Sequence, residues 1–226
     1  MKNGIQNNLM RASKVYEEQV FLRTLILEIP FIGNYIDILF TAKANKYASK
    51  RIEFFLKDLQ KQIYNIDEKK INYEFLNSEE GFDLIIKTFN YASRARQKEK
   101  LKLYARIIKE TLSIKKKFEN EEPELYLKIV EELSLKELTV AKYLYELLEN
   151  RKSENLRESH YDDTDLISKH YSEFEKEDLS YILIRLERTG LIKEITGMYI
   201  GNPGGQYQIT KLFKDFMNFI SNLDTE

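Results

Sequence analysis

The sequence predicts a mainly α-helical chain, with a helical bundle in its first part and a short β-hairpin framed by helices in its second. Three observations carry that expectation. Apolar side chains recur at spacings of three and four through most of the 226 residues, the period of a helix with one buried face. Glycine (8) and proline (3) are scarce, which suits long helices better than a loop-rich β fold. One dense turn signal, Gly201-Asn202-Pro203-Gly204-Gly205, stands late in the chain between two segments of extended character.

The elements follow in order. Tyr47, Ala48, Ile52, Phe55, Leu56, Leu59, Ile63 and Ile66 form one stripe and predict a helix over 44–66. Asn77-Ser78 ahead of Glu79-Glu80 reads as an N-cap with acids in the first turn, and Phe82, Ile85, Ile86 and Phe89 supply the buried side. The polar stretch Ser93 to Lys100 predicts a kink or tight turn near Gln97, although one long helix fits the same pattern. The stripe Leu101, Tyr104, Ala105, Ile107, Ile108 and Leu112 comes next. Lys115-Lys116-Lys117 closes that helix and Glu121-Glu122-Pro123 opens another. Ser134-Leu135-Lys136-Glu137 matches a capping box, in which Ser and Glu each satisfy an amide near the other. The helix it starts uses Leu138, Ala141, Leu144, Tyr145 and Leu148, and the polar run 151–163 reads as an exposed loop.

Beyond that loop the spacing predicts a short helix near 164–171 and a second from Glu175 to Arg188, with Leu179, Ile182, Leu183 and Leu186 inward. Gly190 is placed to end it in the left-handed conformation. Leu191 to Ile200 and Gln206 to Ile209 read as the hairpin strands, and Thr210 caps a last helix carrying Leu212, Phe213, Phe216, Phe219 and Ile220. Three helices, a hairpin and a closing helix make a winged-helix-like layout. The expected domains are therefore a helical one over 1–133 and a winged-helix-like one over 134–226.

Two resemblances add to this. Leu183-Ile184-Arg185-Leu186-Glu187-Arg188-Thr189-Gly190-Leu191-Ile192, with Tyr207-Gln208-Ile209-Thr210, resembles the end of the recognition helix and the strand return of bacterial winged-helix proteins. The order Tyr104-Ala105-Arg106-Ile107-Ile108, then Glu124-Leu125-Tyr126-Leu127-Lys128-Ile129-Val130, then Glu132-Leu133-Ser134 with Glu137, resembles the abortive infection alpha family. That likeness spans 80–220 and not the first 40 residues. These are bacterial, often prophage-linked proteins, and the likeness implies phage defence or regulation without naming a chemistry.

Charge separates the two parts. Residues 1–136 hold 25 basic and 20 acidic side chains, a net +5, while 137–226 hold 11 and 17, a net −6. A basic surface is expected from Lys43, Lys46, Lys50, Arg51, Arg94, Arg96, Lys98, Lys100, Lys102 and Arg106, with Lys109 beside them. It suits phosphate backbones, acidic headgroups or the acidic second half. In the winged-helix-like part, Tyr181, Arg185, Arg188, Lys193 and Gln206 are the candidate contacts with nucleic acid or a partner. The helix that would read DNA nevertheless starts with Glu173, Glu175, Lys176, Glu177 and Asp178, and carboxylates repel phosphate.

Catalytic signatures are missing. There is no cysteine, so no thiolate ligand or nucleophile, and a reducing, cytoplasmic compartment fits. His160 and His170, with Asp162, Asp163 and Asp165 between them, match no standard metal spacing. No Lys-Ser/Thr follows Gly201 to Gly205 as a phosphate loop requires. No cofactor is expected. The segment Phe21 to Phe40 is apolar but carries Arg23, Glu28 and Asp37 and is interrupted by Pro30 and Gly33. It reads as a buried helix pair, a membrane-touching hairpin being the other reading, and the polar start Met1 to Asn8 does not read as a signal peptide. The expected function is a non-enzymatic interaction or regulatory protein with a protein partner, including a second copy of the chain. The alternatives are a DNA-binding regulator and a membrane-acting effector using 21–40.

Overall fold

Helices make up nearly all the regular structure of the computed structural model, which describes residues 46–63, 66, 70–113, 122–153, 163–170, 175–195 and 205–220. The chain divides between Glu131 and Glu132 into two compact units, each with its own core. The segment 21–40, Lys43, the Lys115–Lys117 run and the Gly201–Gly204 part of the turn lie outside the described residues, as do His160, Tyr161, Tyr171 and Glu173. Among the described residues no helix is long and apolar enough to cross a membrane.

In the first unit α1 (Lys46–Ile63) buries Ile52, Phe55, Leu56, Leu59 and Ile63, as its spacing predicts. Tyr47 departs from the expected stripe and is 63 % exposed, one position into the helix. A single turn, α2 (Tyr73–Leu76), is capped by Asn72 and leads to α3 (Glu79–Arg94), whose N-cap Ser78 accepts from the Gly81 amide at 3.1 Å. Gly81 must be glycine here, because a Cβ would stand 2.0 Å from the Phe75 carbonyl oxygen.

The chain breaks at 95–97 and resumes as α4 (Lys98–Thr111), so the turn expected near Gln97 is present. Two contacts orient α1 and α3 antiparallel. Arg51 reaches the end of α3, and the Phe55 and Phe89 rings meet edge to face at 5.3 Å one turn further along. α4 packs against both. It is therefore covered on most of its circumference, and even its polar side chains Lys100, Arg106, Glu110 and Thr111 are buried. Thr88 and Thr111 satisfy their hydroxyls by donating to the carbonyls four residues back. Pro123 sits in the first turn of α5 (Glu122–Glu132), where its missing N–H costs no helix bond.

In the second unit Ser134 and Glu137 form the expected capping box at the start of α6 (Leu135–Ser153). The Ser134 amide donates to Glu137 Oε2 at 2.6 Å, and the Glu137 amide donates to Ser134 Oγ at 3.2 Å. Of the span 151–163 expected as an exposed loop, the residues to Ser153 belong to α6 and Asp163 begins α7 (Asp163–His170), while 154–162 lie outside the described residues. Tyr143 of α6 stacks on His170 of α7 at 3.9 Å between ring centroids.

α8 (Lys176–Arg188) buries Leu179, Ile182, Leu183 and Leu186. It ends in a full Schellman motif. Gly190, at φ 77°, donates to the Glu187 carbonyl at 2.8 Å, and Leu191 donates to that of Leu186 at 3.1 Å. Two three-residue strands, β1 (Ile192–Glu194) and β2 (Tyr207–Ile209), then pair antiparallel with Ile192 opposite Ile209. Thr210 starts the closing helix α9 (Lys211–Ile220), its hydroxyl accepting from the Phe213 amide at 3.0 Å. The Phe213 and Tyr145 rings meet at 5.3 Å and join α9 to α6.

Candidate functional site

At 100° per residue, the buried stripe of α8 leaves Glu177, Tyr181, Ile184 and Arg188 on the opposite side of the helix. The structure places all four in the open, with Tyr181 60 % and Ile184 63 % exposed. Among the described residues they are two of the five large hydrophobic side chains that face solvent. Asp178, Ser180 and Glu187 flank them, also exposed. An aromatic ring and a branched aliphatic chain thus sit side by side within a mostly acidic border.

The arginines of this helix are engaged inside the unit. Arg185 Nε donates to Glu137, and its Nη2 donates to the Glu132 carbonyl at 2.8 Å. Burial opposes the charge of Arg185, but the attraction and hydrogen bond of the Glu137 carboxylate outweigh it, and the guanidinium pKa lies above its usual value. Arg188 Nη2 donates to the Glu132 carboxylate. The Glu137 side chain is only 6 % exposed, so the carboxylate that completes the capping box also neutralises Arg185. On the hairpin Lys193 is exposed and Gln206 is half-buried, its carbonyl accepting from the Ile195 amide at 2.8 Å. Glu194 is half-buried and closes the base of the loop by accepting from the Gly205 amide at 2.9 Å.

The ten cations expected as a basic surface divide into groups. Lys43 lies outside the described residues, and so does the side chain of Lys46, the first residue of α1. Lys50, Arg94, Arg96, Lys98 and Lys102 are exposed. Arg51 is half-buried and donates to the carbonyls of Ser93 and Arg94 at 3.1 and 3.2 Å, neutralising the C-terminal end of α3.

Lys100 and Arg106 correct the expectation, since both are buried. Their place on the covered helix α4 decides this. Lys100 Nζ donates to the Glu131 carbonyl at 2.9 Å, and Arg106 pairs with Glu110 at 3.0 Å. Tyr104 donates to the Glu131 carboxylate beside Lys100; burial first, and that hydrogen bond second, push its phenol pKa well above the ordinary range.

Tyr181 is among the contacts the sequence predicts and Ile184 is not, although its position half a turn off the leucine stripe marks it as outward-facing. Arg185 also reads as a contact residue in the sequence, because the carboxylate that engages it lies 48 positions away. Among the described residues no group of three or more His, Asp or Glu side chains is arranged to hold a metal ion. In comparisons with known proteins, no family model matches the chain, and neither a curated protein nor a solved structure matches it.

Proposed function

We propose that the chain is a non-enzymatic, cytoplasmic bacterial interaction or regulatory protein of the phage-defence kind, whose second unit is a winged-helix-like module used for protein contact. The observation that carries the reading is the outward stripe of α8, where Tyr181 and Ile184 stand exposed among Glu177, Asp178 and Glu187. Apolar side chains presented together inside a polar border suit a partner that buries them. The order of three helices, a hairpin and a closing helix supports the winged-helix reading, in which α8 would take the part of the recognition helix. The resemblance to the abortive infection alpha family over 80–220 supports the defence or regulatory setting.

Reading of DNA by the same helix is the weaker alternative. It needs cations free to meet phosphate and donors free to meet base edges. Here Arg185 and Arg188 are held by Glu137 and Glu132, and carboxylates border the stripe.

The test replaces Ile184 with a photo-crosslinking phenylalanine analogue in the full chain, inside bacterial cells. A discrete protein adduct is expected, lost when Tyr181→Asp is added and absent when the crosslinker sits at Lys169. The adduct's mass tells a second copy of the chain from another protein. Adducts to nucleic acid, or a protein pattern unchanged by Tyr181→Asp, would overturn the reading.

A further inference from the structure

We propose that the first unit carries a separate site, a surface that binds the phosphodiester backbone of a single-stranded nucleic acid, formed by Lys50, Arg94, Arg96, Lys98 and Lys102 around the turn between α3 and α4. It does not depend on the role given to α8.

Two contacts bring these residues together. The bonds from Arg51 to the Ser93 and Arg94 carbonyls hold the beginning of α1 against the end of α3, which sets the neighbouring Lys50 beside the turn. The Lys98 ammonium stands 5.5 Å from the centroid of the Phe54 ring, so the first turn of α4 lies along the same part of α1. Lys102 follows Lys98 by four residues on one side of α4 and extends the patch along α1 away from the turn, its carbonyl accepting from Gln62 at 3.2 Å.

All five cations are exposed, and none has a carboxylate partner among the described residues. Glu53 holds Lys57 at 2.9 Å, and Glu99 is the one acidic residue between Arg94 and Lys102. Other exposed cations are paired, as Lys87 is with Glu124 and Lys136 with Asp178. Among the described residues elsewhere, the exposed cations with no such partner, Lys128, Lys169, Lys193 and Lys211, fall one to an element. Like charges gathered at one turn repel each other, and a polyanion relieves that repulsion while releasing its own counterions.

The chemistry fits phosphodiesters. Arg94 and Arg96 offer forked donors for phosphate oxygens, and the three lysines add mobile point charges. α4 begins at this turn, so its positive end lies there, and Gln97 makes no side-chain cap to it. Acidic bilayers attract such a patch by charge alone, and the feature that favours an unpaired nucleic acid is an aromatic ring beside the cations. Here Tyr47 is the one large hydrophobic side chain exposed on α1, three positions before Lys50 on the same helix face. One aromatic ring beside a cationic track is the arrangement that stacks an unpaired base.

The test measures fluorescence anisotropy of a labelled oligothymidylate with the full chain across a salt series. Saturable binding is expected near 50 mM salt, falling with a log–log slope of about −3.5, from roughly −0.7 for each of five neutralised phosphates. Arg94→Ala, Arg96→Ala, Lys98→Ala and Lys102→Ala together should weaken binding by about tenfold or more and flatten that slope. The matched set Lys128→Ala, Lys169→Ala, Lys193→Ala and Lys211→Ala removes the same charge and should change affinity less than about twofold. Tyr181→Asp with Ile184→Asp should leave it unchanged, which separates this site from α8. Three results would each overturn the proposal: no binding at low salt, equal loss in the two quadruple variants, or patch-dependent binding to phosphatidylserine vesicles without binding to the oligonucleotide.

Discussion

Two stretches of the chain look alike on paper: Arg94 to Lys102 in the first unit and Arg185 to Lys193 in the second. Each crowds arginine and lysine around the end of a helix. In the first, Arg94, Arg96, Lys98 and Lys102 face outward without carboxylates. In the second, Arg185 and Arg188 are held by Glu137 and Glu132, and Tyr181 and Ile184 occupy the open face instead. The availability of a cation is thus decided less by its own segment than by the acids that other elements bring to it.

That contrast can be broken most sharply at Glu137. Glu137→Ala takes the carboxylate from Arg185, which keeps its bond to the Glu132 carbonyl, and the acceptor from the Ser134 amide, and should lower stability by about 3 kcal/mol, a charge-assisted bond and a helix cap together. Chemical denaturation followed by circular dichroism reads it. Lys136→Ala, which removes an exposed pair with Asp178, should cost under about 1 kcal/mol, and near-equal losses would mean that the Arg185–Glu137 pair holds the unit no better than a surface pair.

Arg51 provides the next test, within the basic run's own neighbourhood. Arg51→Ala takes a charged donor from two carbonyls at the end of α3 and should cost about 2 kcal/mol, against about 0.5 kcal/mol or less for Arg94→Ala. A similar cost for both would erase the line between structural and outward-facing cations. Smallest of all, Lys50→Ala and Lys102→Ala should leave the unfolding midpoint almost unmoved, each within about 0.5 kcal/mol. A larger loss at either would reveal a structural partner and weaken the case for a ligand surface.

The parts of the fold legible in the sequence are those written locally. Ser134 with Glu137, Ser78, Gly190 and Thr210 each act on backbone groups a few residues away, and each does what its position predicts. The α8 stripe is legible for the same reason, since period alone puts Leu179 and Leu183 inward. What was not legible depends on distant partners. Lys100 finds the Glu131 carbonyl 31 positions on, Arg185 finds Glu137 at 48, and Arg51 caps a helix 42 positions away. Tyr47 shows the opposite failure. It shares the period of a buried stripe, but at the very start of α1 it remains in solvent.

Thr210 has a consequence for how the second unit comes apart. Its hydroxyl donates between the Gly190 and Leu191 carbonyls at 2.7 and 3.0 Å while accepting from the Phe213 amide, and its own amide donates to Leu191. One side chain therefore closes the foot of the hairpin and nucleates α9 at the same moment. Fraying of the last helix removes the latch on the strands, and opening of the strands removes the first turn of the helix. The hairpin foot and the first turn of α9 are therefore expected to open and exchange as one cooperative unit.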